Sequence, residues 1–167
     1  MNRIFIFMFF SAFLYSEMVS AEIGQSAKMF RRSELSRTFA FYMDETVDAG
    51  VYSTTPGLQK VLYKSRDGRY TIEFVTDSKG ENISAQTLSF PYDGDKELAA
   101  RDELCSLGFF KEAVAGKIED KVFRRLYEDA LAKQGAKQEI TAGGFIISAV
   151  IYRHALYREW DITVKKK

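Results

Sequence analysis

Cysteine and histidine are almost absent from this sequence, which contains one of each in 167 residues. Because Cys105 is alone, it cannot form an intramolecular disulfide, and the fold must be stabilised by packing. Zinc sites built from Cys and His clusters, and the HExxH motif of metalloproteases, need more such ligands than the chain holds. We therefore expect no metal or other cofactor, and we predict that Cys105 is a small buried residue of a helix.

The chain also lacks an excess of either charge, with 24 Lys and Arg against 23 Asp and Glu. This balance gives no electrostatic reason to expect nucleic acid as a partner. The sequence has no Gly-rich turn that opens a helix and no G-x-S-x-G motif, which argues against nucleotide binding and against an α/β-hydrolase site. The acidic segment 93–97 has Leu98 and Leu104 where a calcium-binding EF-hand would need Gly and Glu, so it is interpreted as a helix start.

The one long apolar run lies within residues 1–21. Arg3 precedes an apolar core over residues 4–15, and residues 19–21 are the Val-Ser-Ala that a signal peptidase would read. The core is shorter than the roughly 20 apolar residues of a membrane-spanning helix. We predict a cleavable signal peptide over 1–21 and a single globular domain over 22–167. The protein is then expected to be periplasmic or secreted, with no stable membrane anchor after cleavage.

Alternating apolar residues predict a three-stranded antiparallel meander over residues 60–65, 69–76 and 83–90. Asp67 and Gly68 supply the tight turn between its first two strands, since glycine readily adopts positive φ. In the second strand, one face is predicted to carry Tyr70, Ile72, Phe74 and Thr76, and the opposite face Thr71, Glu73 and Val75.

Two further elements are predicted before the meander. Residues 22–36 show helical spacing, residues 37–43 show a strand period of two, and residues 51–57 form a loop because they contain a Pro-Gly turn. The helix prediction is based on Ile23, Ala27 and Phe30. The strand prediction is based on Phe39, Phe41 and Met43.

Two helices are predicted after the meander. Asp95 caps a helix that begins near Lys96, and Gly108 is expected to interrupt that helix. Residues 117–134 carry apolar side chains three and four apart and predict a second helix, which Gly135 ends.

The last segment, residues 143–164, is rich in β-branched and aromatic residues, which favours a buried central strand. Because strands are seldom this long, we expect a bend or bulge near His154 and Ala155. A helix over 145–160 is the alternative. Together the elements predict an α+β fold, with an antiparallel sheet of about five strands packed against two to three helices.

The absence of a catalytic motif, together with many Tyr, predicts a non-catalytic exported protein that binds another macromolecule, with another protein as the partner. Envelope accessory factors, inhibitors and immunity-type proteins are examples of this class. Tyr and Trp are favoured anchors at interfaces, and the residues chosen as the binding site are Tyr152, His154, Tyr157 and Trp160.

Two alternative functions are weighed against this prediction. One is a carrier of an apolar ligand or lipid. The residues proposed to line its pocket are Phe39, Phe41, Tyr70, Ile72, Phe74, Phe145 and Ile147. The other, less favoured, is a hydrolase that uses His154, the single imidazole, with a neighbouring carboxylate.

Overall fold

An antiparallel sheet forms the centre of the computed structural model, which describes residues 21–48 and 57–167. Residues 1–20 of the predicted leader and residues 51–56 of the predicted loop lie outside the described residues. The seven described strands are β1 (Tyr42–Asp48), β2 (Leu58–Lys64), β3 (Thr71–Asp77), β4 (Ile83–Pro91), β5 (Gln138–Ala142), β6 (Phe145–Arg153) and β7 (Arg158–Lys166). The described helices are a 3₁₀ helix (Ala27–Arg32), α1 (Glu34–Thr38), α2 (Lys96–Ala113) and α3 (Asp120–Ala132).

The strands are ordered β1-β2-β3-β4-β7-β6-β5, and every neighbouring pair is antiparallel. Pairing of β4 with β7 joins the N-terminal four strands to the C-terminal three in one sheet. The α+β class is confirmed. The predicted counts of about five strands and two to three helices are corrected to seven strands and four helical segments among the described residues, because β5 was not recognised and the C-terminal segment forms two strands.

The meander is confirmed as β2, β3 and β4, and the turn between β2 and β3 has the predicted chemistry. Gly68 adopts a φ of 73°. The carboxylate of Asp67 accepts hydrogen bonds from the Ser65 hydroxyl at 2.6 Å and from the Arg69 amide at 3.1 Å. The predicted alternation is present, and the face that carries Tyr70, Ile72, Phe74 and Thr76 is the buried one.

The N-terminal predictions are only partly correct. Residues 22–36 contain the 3₁₀ helix and the first residues of α1 in place of one helix, and β1 begins at Tyr42. Phe39 and Phe41 are buried, but they lie in a reversal of the chain at Ala40, whose φ is 50°. Two buried aromatic residues around one exposed residue imitate a strand period although the backbone is not extended.

Asp95 caps α2 as predicted, accepting from the amides of Glu97 at 2.8 Å and Leu98 at 3.3 Å. The predicted interruption at Gly108 is wrong, because α2 continues through this residue to Ala113. A side chain at Gly108 would place its Cβ 3.0 Å from Cδ1 of Leu35. The glycine therefore allows α1 to approach α2 closely.

Residues 143–164 form no helix, so the helical alternative is wrong. The predicted bend near His154 is present as a full chain reversal that separates β6 from β7, and the amide of His154 donates to the carbonyl of Tyr157 at 2.9 Å. The unpredicted strand β5 pairs with β6 at the edge of the sheet.

Candidate binding surface at the β6–β7 turn

Three large apolar or aromatic side chains lie exposed and close together at the turn between β6 and β7. Leu156 is 95% exposed, Tyr157 is 57% exposed and Tyr152 is 45% exposed. His154 lies between the two tyrosines. We refer to Tyr152, His154, Leu156 and Tyr157 as the tip surface.

Ring contacts hold the tip surface together. The His154 ring stacks on Tyr157 with centroids 4.4 Å apart, and the centroid of Tyr152 lies 6.4 Å from that of His154. Nε2 of His154 is 3.3 Å from Oε2 of Glu159, a pairing that becomes a salt bridge when the imidazole is protonated. The rings therefore form one continuous patch beside the exposed Leu156.

The base of the tip surface comes from the segment that follows β4. The guanidinium of Arg158 lies 4.6 Å from the ring centroid of Tyr92 and donates to Oε1 of Gln134 at 3.1 Å. The amide of Tyr92 in turn donates to the carbonyl of Arg158 at 2.9 Å. An open depression of about 420 Å³ is lined by Pro91, Tyr92, Asp93, His154, Leu156, Tyr157 and Arg158.

A buried ion pair fixes this same segment to α2. Arg69 donates through Nε and Nη2 to the two carboxylate oxygens of Asp102, at 2.8 and 2.7 Å, and through Nη1 to Asp93 at 3.0 Å. It also donates to the carbonyl of Pro91 at 3.3 Å. Asp102 is 4% exposed and accepts from the Tyr70 hydroxyl at 2.8 Å. Burial and this hydrogen bond raise the pKa of Tyr70.

The structure brings together three of the four residues chosen from the sequence, namely Tyr152, His154 and Tyr157. Trp160 does not reach the surface. It is 1% exposed and stacks on Tyr127 with centroids 4.5 Å apart. The indole is therefore part of the core beneath the helices and lies outside the tip surface.

Sequence reasoning did not include Leu156, Tyr92 or Arg158 in the site. Leu156 was assigned to a strand face, although its place in the predicted bend near His154 was a signal that it could be exposed. Tyr92 lies 65 positions from Tyr157 in the chain, so no local pattern could bring it to this surface.

A second unusual group is Glu112, near the end of α2. Its Oε1 accepts from the amide of Leu35 at 2.8 Å, in the first turn of α1, while its buried Oε2 has no hydrogen-bond partner among the described residues. Burial raises the pKa of Glu112 to about 7, an effect that the Leu35 amide and the Ser33 hydroxyl partly offset. Glu34 raises this pKa further through charge repulsion. The carboxyl joins α1 to α2 and lies away from the tip surface.

The raised pKa of Glu112 predicts a specific pH dependence of stability. Between its ordinary pKa of 4.5 and about 7, the folded state binds more protons than the unfolded state, so stability falls as pH rises. Relative to Glu112→Gln, the wild type should lose up to about 3 kcal/mol of unfolding free energy over this range. Urea denaturation at several pH values measures the difference.

Glu103→Gln is the control for this measurement, because the Glu103 side chain is 45% exposed and pairs with Arg124 at the surface. This variant should follow the wild-type pH profile. If stability depends on pH in the same way in the wild type and in Glu112→Gln, the raised pKa of Glu112 is contradicted.

The residues proposed to line a carrier pocket all lie in the hydrophobic core. Phe39 packs edge-on against Tyr70 at 5.3 Å, and Phe74 lies 5.2 Å from Phe30. Cys105 is buried in α2 as predicted, and burial raises the pKa of its thiol.

Comparison with protein-family models, curated proteins and solved structures gives no match. Among residues 21–48 and 57–167, no group of three or more His, Cys, Asp or Glu side chains is arranged to hold a metal ion. No helix in that part of the chain is both long and apolar enough to cross a membrane.

Proposed function

We propose that this protein is an exported, non-catalytic binding protein that contacts another protein through its tip surface. The observation that carries the proposal is the 95% exposure of Leu156 beside the stacked rings of His154 and Tyr157. A single exposed apolar residue is ordinary, but a leucine grouped with aromatic side chains is typical of an interface. Export follows from the predicted leader over residues 1–21.

The support beneath the tip surface favours binding. Both β6 and β7 are interior strands, each paired on two sides. Tyr92 is held against Arg158, and the adjoining Pro91 and Asp93 are held by Arg69. A surface that is already ordered loses less conformational entropy when it binds, so more of the contact energy contributes to affinity.

Removal of the leucine tests the proposal. Complete burial of a leucine side chain contributes about 1.5–3 kcal/mol, which corresponds to roughly tenfold or more in affinity. Leu156→Ser should therefore reduce recovery of the partner at least about tenfold. The measurement is quantitative cross-linking and mass spectrometry with the full chain expressed in its own source.

Leu104→Ser is the matched control, because Leu104 is 60% exposed on α2 and lies outside the tip surface. Both variants should unfold at nearly the wild-type temperature, since neither side chain is buried. Equal recovery of a partner by Leu156→Ser and the wild type would overturn the tip surface as the site. The absence of any stoichiometric partner would overturn the binding function itself.

A further inference from the structure

Two arginines face each other where β6 and β7 enter the turn that carries the tip surface. Arg153, the last residue of β6, is directly opposite Arg158, the first residue of β7. Like charges at directly opposed positions of an antiparallel pair destabilise a sheet. This arrangement therefore costs stability unless an anion lies between or beside the two guanidinium groups.

No described carboxylate supplies that anion. Oε2 of Glu159 lies 3.3 Å from Nε2 of His154 and the Asp93 carboxylate is paired with Arg69, so neither acid is bound to Arg153 or Arg158. Within residues 21–48 and 57–167, the partners of the Arg158 side chain are both neutral, namely the ring of Tyr92 and the amide oxygen of Gln134. Among the residues that the structure describes, neither Arg153 nor Arg158 forms an ion pair.

We infer that the partner of the tip surface is a protein with an acidic segment whose carboxylates bind Arg153 and Arg158 while an apolar side chain contacts Leu156. This inference rests on the proposed function and names the chemistry of its partner. Guanidinium groups bind carboxylates through two parallel hydrogen bonds, and arginine is a frequent interface anchor. The Arg158 side chain forms one hydrogen bond among the described residues, so most of its five N–H donors have no acceptor in that part of the chain.

An acidic protein fits this surface better than an anionic membrane does. Headgroup recognition typically uses clusters of about four to eight Lys and Arg. Here two arginines are accompanied by Glu159 and Asp93, whose carboxylates a negatively charged bilayer would repel. A folded partner can instead place its carboxylates at the two guanidinium groups and leave those acids at the margin.

The experiment uses two synthetic hexapeptides with a central Leu-Tyr, one flanked by glutamates and the other by lysines. Each is titrated into the full chain while backbone amide signals are followed by NMR. The acidic peptide should shift the signals of residues 152–158 saturably. Arg153→Glu, which places a carboxylate opposite Arg158, should weaken this binding about tenfold or more.

A second readout separates a binding role from a structural one. Because Arg153→Glu replaces repulsion by attraction across the pair, it should raise the melting temperature by about 1–3 °C. A merely structural arginine would instead lower the melting temperature when replaced. Arg125→Glu makes the same charge change on the exposed side of α3 and should leave peptide binding unchanged.

Equal binding of the two peptides, or an Arg153→Glu variant that binds the acidic peptide as well as the wild type, would overturn the inference. Binding to phosphatidylglycerol vesicles, but not to the acidic peptide, would overturn the choice of a protein. Loss of the cellular partner in Leu156→Ser with full retention in Arg153→Glu would leave the proposed function standing and refute its acidic partner.

Discussion

Asp102→Ala is expected to lower the free energy of unfolding by about 3–5 kcal/mol, because it leaves the buried guanidinium of Arg69 without its main counterion. The Arg69 side chain is 12% exposed and that of Asp102 is 6% exposed, so water cannot replace the lost hydrogen bonds. The variant also leaves the buried hydroxyl of Tyr70 without its acceptor. Urea denaturation followed by circular dichroism measures the loss.

Asp93→Asn is the matched control for Asp102→Ala. Asp93 binds the same guanidinium, but its side chain is 44% exposed. Exposed pairs contribute about 0–1 kcal/mol, so this variant should be nearly as stable as the wild type. A loss in Asp102→Ala no larger than the loss in Asp93→Asn would contradict the assigned role of the buried pair.

The double variant Arg69→Met with Asp102→Leu provides a further test. Removing both charges together avoids a buried unpaired ion, so it should recover much of the stability that Asp102→Ala loses. It should also release the carbonyl of Pro91 and the carboxylate of Asp93 from Arg69. Weaker binding at the tip surface in this stable variant would show that the ion pair positions the segment after β4.

Trp160→Ala is expected to lower the free energy of unfolding by about 3–5 kcal/mol, because it opens a cavity in a well-packed core. The indole lies between Phe90, at 6.0 Å, and Tyr127, at 4.5 Å between centroids, and it meets Tyr92 edge-on at 6.4 Å. Thermal and urea unfolding followed by circular dichroism measure the effect.

Tyr157→Ala is the comparison for Trp160→Ala, since Tyr157 is exposed on the tip surface. Its stability should stay within about 1 kcal/mol of the wild type while partner binding weakens. Trp160→Phe should show the reverse, a moderate loss of stability with binding retained. If Trp160→Phe is stably folded but loses partner binding, Trp160 takes part in binding and the prediction is wrong.

The elements that could be predicted from the sequence are those with strong local signals. The meander follows from alternation of apolar residues and from the Asp67-Gly68 turn. Helix α3 follows from the spacing of apolar residues within 117–134, and four of these are buried, namely Phe123, Leu126, Tyr127 and Ala130. In each case the period of the side chains alone indicates which face is covered.

The elements that were misjudged depend on distant contacts. Gly108 could not be recognised as a helical residue, because the reason for its presence is Leu35 on another helix. Strand β5 is five residues long and gains its regularity from pairing with β6. Phe39 and Phe41 are buried by the core although they belong to no strand.

The residues of the candidate site were likewise predicted only in part from the sequence. Aromatic richness near the C-terminus was enough to select Tyr152, His154 and Tyr157. Composition could not separate them from Trp160, because all four residues are large, aromatic and close in the chain. The tertiary structure separates them, since Trp160 lies on the helix-covered face while Tyr152 is opposite Glu159 on the other face.

By itself the sequence determined the α+β class, the meander and the buried side of α3, because composition and periodicity act over a few neighbouring positions. Only the tertiary structure decided that β4 pairs with β7, that Arg69 reaches Asp102, and that Tyr92 supports the tip surface. Each of these contacts joins segments far apart in the chain. Periodicity specifies which face of an element is buried, whereas the partner of that face depends on how the whole sheet is assembled.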